Sequence, residues 1–206
     1  KLQAYEQHVQ GLPGERTNPG QAGPGTYRVR SPMADTIGGM TAAFAITSAL
    51  AGRALGNNGG KGSFIDISML ESVIATMGWV VSNYLIAGKE PTANGNDNFT
   101  SSPSGAFATA DGQINIAANK QEQFEALCGV LVLEDLITDS RFNTRKERLE
   151  NRNLLSALLE DVLVTNTAGH WVEKLNAVGV PAGEVLTVPQ VLELPQISDR
   201  GMLASF

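Results

Sequence analysis

One stretch constrains this chain more than any other: Ser31-Pro32-Met33-Ala34-Asp35-Thr36-Ile37-Gly38-Gly39-Met40. Pro32 fixes an extended approach. Apolar positions then recur at helical spacing, through Ile37, Met40, Phe44, Thr47, Leu50 and Ala51, to about Arg53. Asp35 falls where the N-cap of that helix is expected. An aspartate there has two readings. It can cap an amide of the first turn. It can also be a carboxylate at the positive end of a helix, able to attack an activated carbonyl. Position alone favours the cap. Gly38 and Gly39 likewise allow close packing of the helix start or room for a ligand beside Asp35.

Composition narrows the function classes. Of 206 residues, 42% are hydrophobic and 17% charged, a globular profile. The net charge of −6 and the lack of a basic run argue against nucleic-acid binding. Cys128 is the single cysteine, which excludes a disulfide framework and a multi-cysteine metal site. His8 and His170 are the only histidines, which excludes a His-rich centre. No apolar run has transmembrane length and no signal-peptide pattern opens the chain, so a cytoplasmic enzyme is expected, or one of an organelle matrix in a eukaryote. The chain starts inside a helical pattern and stops while approaching a strand, the expectation for a piece of a longer protein.

Residues 1–10 read as a short helix and residues 11–30, rich in glycine and proline, as loop around a short strand at Tyr27-Arg28-Val29. After the Asp35 helix, Gly56-Asn57-Asn58-Gly59-Gly60 is a turn. Ser63–Ser68 alternates as a strand with Ile65 and Ile67 on one face. A single buried helix is expected from Met69 to Ala87. Residues 1–88 form the first domain and the polar stretch 89–104 a linker. A small α+β domain spans 105–188, with a return linker over 189–206. Within the small domain, a hairpin turns at Ala110-Asp111-Gly112. Helices follow at Lys120–Val130 and Asn143–Val164, the latter with a Leu154, Leu155, Leu158, Leu159 and Val162 stripe. Thr167 caps another helix through Trp171 and Leu175, and Pro181–Val188 is extended. Pro195 onward reads as linker, Cys128 as a buried small hydrophobe, and Asp111-Gly112 as a turn and nothing more. Lys61 lacks the spacing of a phosphate-binding loop.

The run Ala4-Tyr5-Glu6-Gln7-His8-Val9-Gln10-Gly11, followed by Ser31 to Met40, resembles the class III CoA-transferases, the family of formyl-CoA transferase, carnitine CoA-transferase and the bile-acid-inducible F-like proteins. So do Asn57 to Gly62 with Phe64-Ile65-Asp66-Ile67-Ser68-Met69-Leu70-Glu71. The matches continue through Gly95-Asn96, Ser102-Pro103-Ser104-Gly105-Ala106-Phe107, Asp111-Gly112 and Gly179-Val180-Pro181-Ala182-Gly183. They run in order along the whole chain and cover the middle and C-terminal side of the family's length.

The resemblance implies an α/β fold: part of a Rossmann-like large domain plus a small α+β domain, in an interlocked homodimer. It implies CoA transfer from an acyl-CoA to a carboxylic acid through an anhydride and a CoA thioester on Asp35, with no permanently bound cofactor and coenzyme A as a substrate. Acyl-CoA and carboxylic acid are then the partners, with no nucleic acid, membrane or metal. Glu6 falls where the family carries an acidic residue supporting the nucleophile. Tyr5, His8, Gln10, Gly38, Gly39 and Asn96 fall on substrate or CoA positions. Asn94-Gly95-Asn96 resembles the start of a loop that covers the site in some members, but the longer glycine run of those members is lacking here. Racemases of the superfamily carry a histidine at the position of Tyr5, and tyrosine, with an ordinary pKa of about 10, is a poor base. Tyr5 therefore argues for transfer. The rivals are a racemase-type isomerase and a folded but inactive fragment.

Overall fold

The computed structural model describes residues 31–91 and 97–204. The architecture mixes helices with one small sheet. The chain divides into two compact units, Lys1–Gly95 and Asn96–Phe206.

In the first unit, α1 spans Met33–Ala54. Seven alanines, the best helix formers, lie within it. Its first backbone bond runs from the Thr36 amide to the Pro32 carbonyl at 3.0 Å. It ends where Gly56 takes a positive φ of 78°, with Arg53 near its negative end. A 3₁₀ turn, Asn57–Gly60, follows. Pro32 is the N-cap and Asp35 is the third helical residue, so the capping position expected for Asp35 is corrected: the helix begins at Met33, three residues earlier than an Asp35 cap would set it.

The buried face of α1 is not the apolar stripe expected from the sequence. Ala34 and Gly38 are buried against Met69 and Val73, while Met40, Phe44 (75% exposed) and Leu50 face outward. Small residues win because they let two helix backbones approach; a Cβ on Gly38 would stand 3.0 Å from Met69 Cγ. Within residues 63–68, Ile65 and Ile67 are partly buried and Phe64 is 93% exposed, so the alternation is real. The expected strand is nevertheless not formed, because no strand among the described residues pairs with it.

The expected single helix over 69–87 is two helices. In α2, Met69–Thr76, the Ser68 hydroxyl caps the start by accepting from the Glu71 amide. Gly78, at φ 51° and ψ −117°, then breaks the run, and α3, Trp79–Ala87, leaves at 83°. An apolar run cannot reveal a break that depends on one glycine's positive φ. Burial is confined to α2, at Ser72 and Val73; in α3, Trp79, Tyr84, Leu85 and Ile86 (86%) are exposed, against the expectation of a buried helix. No single described helix is long and apolar enough to cross a membrane.

The second unit is built on an antiparallel sheet, β1 (Ser104–Ala108), β2 (Gln113–Ala117) and β3 (Ala182–Glu184), in that order. Phe107 pairs with Ile114, and Asn115 with Gly183. Ile114, Ile116 and Phe107 bury one face against helices. These are α4 (Gln121–Leu131), α5 (Asp135–Thr138), α6 (Arg145–Glu150), α7 (Arg152–Leu163) and α8 (Ala168–Ala177). Phe124, Leu127, Leu155, Leu159, Leu163 and Leu175 fill the space between.

The helix expected over Asn143–Val164 is interrupted at Asn151, which ends α6 and starts α7. Leu154, expected on its buried stripe, is exposed, and Leu163 is buried instead. Thr167 caps α8 by accepting from the His170 amide, as its sequence position suggests. Asp111 does more than turn the hairpin: Oδ1 accepts from the Ala168 amide at 2.8 Å and so ties the turn to α8. Beyond β3, α9 is Val188–Leu192, and α10, Pro195–Asp199, is helical where linker was expected, since proline is well placed at a first helical turn.

A side chain reaches an outward backbone group on each outer strand of the sheet. Glu160 accepts from the outward amide of Ala108 at 2.9 Å. Asn176 donates to the Ala182 carbonyl at 3.0 Å and accepts from its amide at 3.1 Å. Cys128 is fully buried in the core, and burial pushes its thiol up to about 12.

Two outcomes follow. Gly38→Val forces a branched side chain onto Met69 and costs about 1–3 kcal/mol, whereas Gly39→Ala, in open space, leaves stability unchanged or raises it by up to about 1 kcal/mol; urea unfolding distinguishes them. The folded chain holds the Cys128 thiol protonated, so its contribution to stability is full below the ordinary thiol value of about 8.5. It is lost as the pH climbs toward 12. At neutral pH the Cys128 peptide therefore resists alkylation in the native protein and is labelled in denaturant, read by mass spectrometry.

Candidate active site

Asp35, Gly38 and Gly39 are the candidate site residues that the described structure includes; Tyr5, Glu6, His8, Gln10 and Asn96 lie outside the described residues. All three described residues belong to the first two turns of α1. Asp35 is exposed, between buried Ala34 on one side and the helix's outer surface on the other.

An acidic residue at the third helical position ordinarily reaches back to the amide of the N-cap residue. Here the N-cap is Pro32, which has no N–H and no side-chain hydrogen bond to give the helix start. That capping bond is closed to Asp35. Its carboxylate instead stands in the first turn, where the helix's partial positive charge favours an anion.

The two glycines have different surroundings. Gly38 is buried and serves packing, because Met69 occupies the space a side chain would need. Gly39 is exposed, and a Cβ built there meets no atom within 4 Å. Gly39 is one turn beyond Asp35 on the same helix face. Helical side chains lean toward the N-terminus, so the side chain that Gly39 lacks would have covered the turn carrying Asp35. Ala43, a further turn along and also exposed, was not singled out from the sequence; the spacing of Asp35, Gly39 and Ala43, each four residues from the last, was its signal. The outer face of α1 beside Asp35 is thus low and open.

Among the described residues, no group of three or more His, Cys, Asp or Glu side chains could hold a metal ion.

Residues 1–206 match CoA-transferase family III. The chain is 33% identical to acetyl-CoA:oxalate CoA-transferase of Acetobacter aceti over 97% of its own length and 51% of that protein's. It is 33% identical to human succinyl-CoA:glutarate CoA-transferase over 70% of this chain and 33% of that one. Among solved structures, a CAIB/BAIF family protein from Brucella suis superposes with a TM-score of 0.84 at 32% identity, over 97% of this chain and 52% of that one. The chain therefore spans about half the length, or less, of these relatives. Match along the whole chain and likeness in fold agree: the chain belongs to CoA-transferase family III.

Proposed function

We propose that the protein transfers CoA from an acyl-CoA donor to a carboxylic acid acceptor, with Asp35 as the covalent nucleophile. The observation that carries this reading is the exposed Asp35 carboxylate in the first turn of α1, beside the open space left by Gly39. Family membership supports the reaction class.

The chemistry needs a carboxylate and no proton donor. Asp35 attacks the thioester carbonyl, the C–S bond breaks, and CoA leaves as a thiolate while a mixed anhydride forms. The thiolate attacks the Asp35 carbonyl of that anhydride and releases the donor acid, leaving an aspartyl-CoA thioester. The acceptor carboxylate displaces CoA thiolate from Asp35 to form a second anhydride. The thiolate then attacks the acceptor's carbonyl, giving the new acyl-CoA and restoring Asp35. One thioester is exchanged for another, so the protein's task is to stabilise each oxyanion and keep water from the anhydrides. An exposed helix start gives a bulky thioester its approach. Closing the site against water calls for further surfaces, and an interlocked homodimer, with Glu6 supporting Asp35 and Tyr5, His8, Gln10 and Asn96 at substrate or CoA positions, meets that need. The outward apolar side chains Met40, Phe44, Leu50, Phe64, Leu85 and Ile86 are surface of the kind that assembly covers. Tyr5 supports transfer over racemisation.

The test uses the full-length protein with a panel of acyl-CoAs. Mass spectrometry is expected to find a hydroxylamine-sensitive adduct on the peptide carrying Asp35. Asp35→Asn removes the adduct and lowers transfer by about 10³-fold or more, the scale on which loss of a covalent nucleophile acts. Gly39→Leu keeps the fold but lowers transfer by crowding Asp35. Activity without any adduct, or exchange of the substrate α-proton with deuterated solvent in place of transfer, refutes the proposal.

A further inference from the structure

Three arginines on α6 and α7 converge on one short stretch of backbone. Arg145 on α6 donates Nε and Nη2 to the Thr100 carbonyl at 3.0 and 2.7 Å. Arg148, three residues on and buried, donates Nε to the Ser102 carbonyl at 3.1 Å. Its Nη1 reaches the Phe142 carbonyl at 2.9 Å, and its guanidinium lies over the Phe124 ring at 4.3 Å. Arg152 on α7 donates Nη2 to the carbonyls of Asn98 and, at 3.2 Å, Ser101. Its Nη1 pairs with Asp97 at 3.4 Å. Spacing of three and four residues brings the three onto one side of the α6–α7 segment.

The stretch they hold, residues 97–102, precedes β1, and Ser101 and Ser102 are buried although they are in no strand. Buried carbonyls outside regular structure need donors. Arginine supplies several from a rigid planar fork, and its weakly hydrated guanidinium tolerates burial and stacks on aromatic rings. Of the groups accepting from these arginines, only the Asp97 carboxylate is charged; the rest are neutral carbonyls.

We propose that Arg145, Arg148 and Arg152 form a staple that makes residues 97–102 a fixed part of the second unit. Because most of the acceptors are uncharged, the staple holds in salt that would screen a surface ion pair.

Hydrogen exchange of the full-length protein, read by mass spectrometry, tests this. The reporting amides are Asn98, bonded to the Ser104 carbonyl, and Thr100, bonded to Asn98 Oδ1. In the wild type, peptides over 97–102 are expected to be protected well beyond an open loop, equally at low and high salt. In the Arg145→Ala/Arg152→Ala double variant their exchange rises about tenfold or more, while peptides over β2 and α7 are unchanged. If that variant fails to fold, Arg145→Ala alone serves, since its guanidinium is exposed and its bonds go to Thr100; a selective rise over 97–102 supports the staple. Wild-type exchange at open-loop rates, protection lost in salt, or no rise in the variant that folds overturns it.

Discussion

The first unit depends on how closely α1 approaches α2. Ala34 and Gly38 offer the other helix almost no side chain, and Met69 and Val73 fill the space. A helix has only so much circumference. Once Ala34 and Gly38 are committed to the contact, Asp35 and Gly39, each one residue further round, are turned away from it. The packing that holds the unit together and the exposure of the candidate nucleophile are therefore two results of one geometric choice. A larger residue at Gly38 would push the helices apart and also rotate the face on which Asp35 stands.

The second unit solves a different problem, that of satisfying backbone groups around a sheet of only three short strands. Such a sheet has two open edges and little pairing of its own. Glu160 and Asn176 take the outward groups of the edge strands, Asp111 ties the hairpin to α8, and the three arginines take the carbonyls leading into β1. Except for Asn176, six residues from Ala182, these donors and acceptors are distant in sequence from the groups they meet. They convert polar backbone that would otherwise need water into contacts that fix loops against the hydrophobic core.

Much of this second unit was legible in the sequence because its local signals agree with its burial. The hairpin around Asp111-Gly112, the Thr167 cap and the buried Cys128 all rest on short-range chemistry. The first unit was less legible. Its apolar periodicity located α1 but not the face it buries, since Phe44 and Met40 are apolar and exposed while Gly38 is buried. Hydrophobicity says that a surface is to be covered, not what covers it. The break at Gly78 depends on one backbone angle, and the unpaired stretch at 63–68 on the absence of a described partner strand; neither is written in a local pattern. Within the candidate site, Asp35 was legible as a residue and its spacing to Gly39 was visible, but the division of labour between Gly38 and Gly39 required knowing where Met69 lies.

Pro32 joins these strands of the argument. Read locally, an aspartate just after a proline and just before a helix is a cap. The proline itself undoes that reading. It occupies the N-cap position, carries the first helical bond on its carbonyl, and has no amide for an acidic side chain in the first turn to accept. The bond from the N-cap amide that an acidic residue at the third position ordinarily takes does not exist where the N-cap is proline. Asp35 stands near the positive end of a long helix, on its exposed side, one turn before a glycine with open space about it. On the proposed mechanism that clearance has a use, because a carboxylate that is to meet a thioester carbonyl needs room for the thioester beside it.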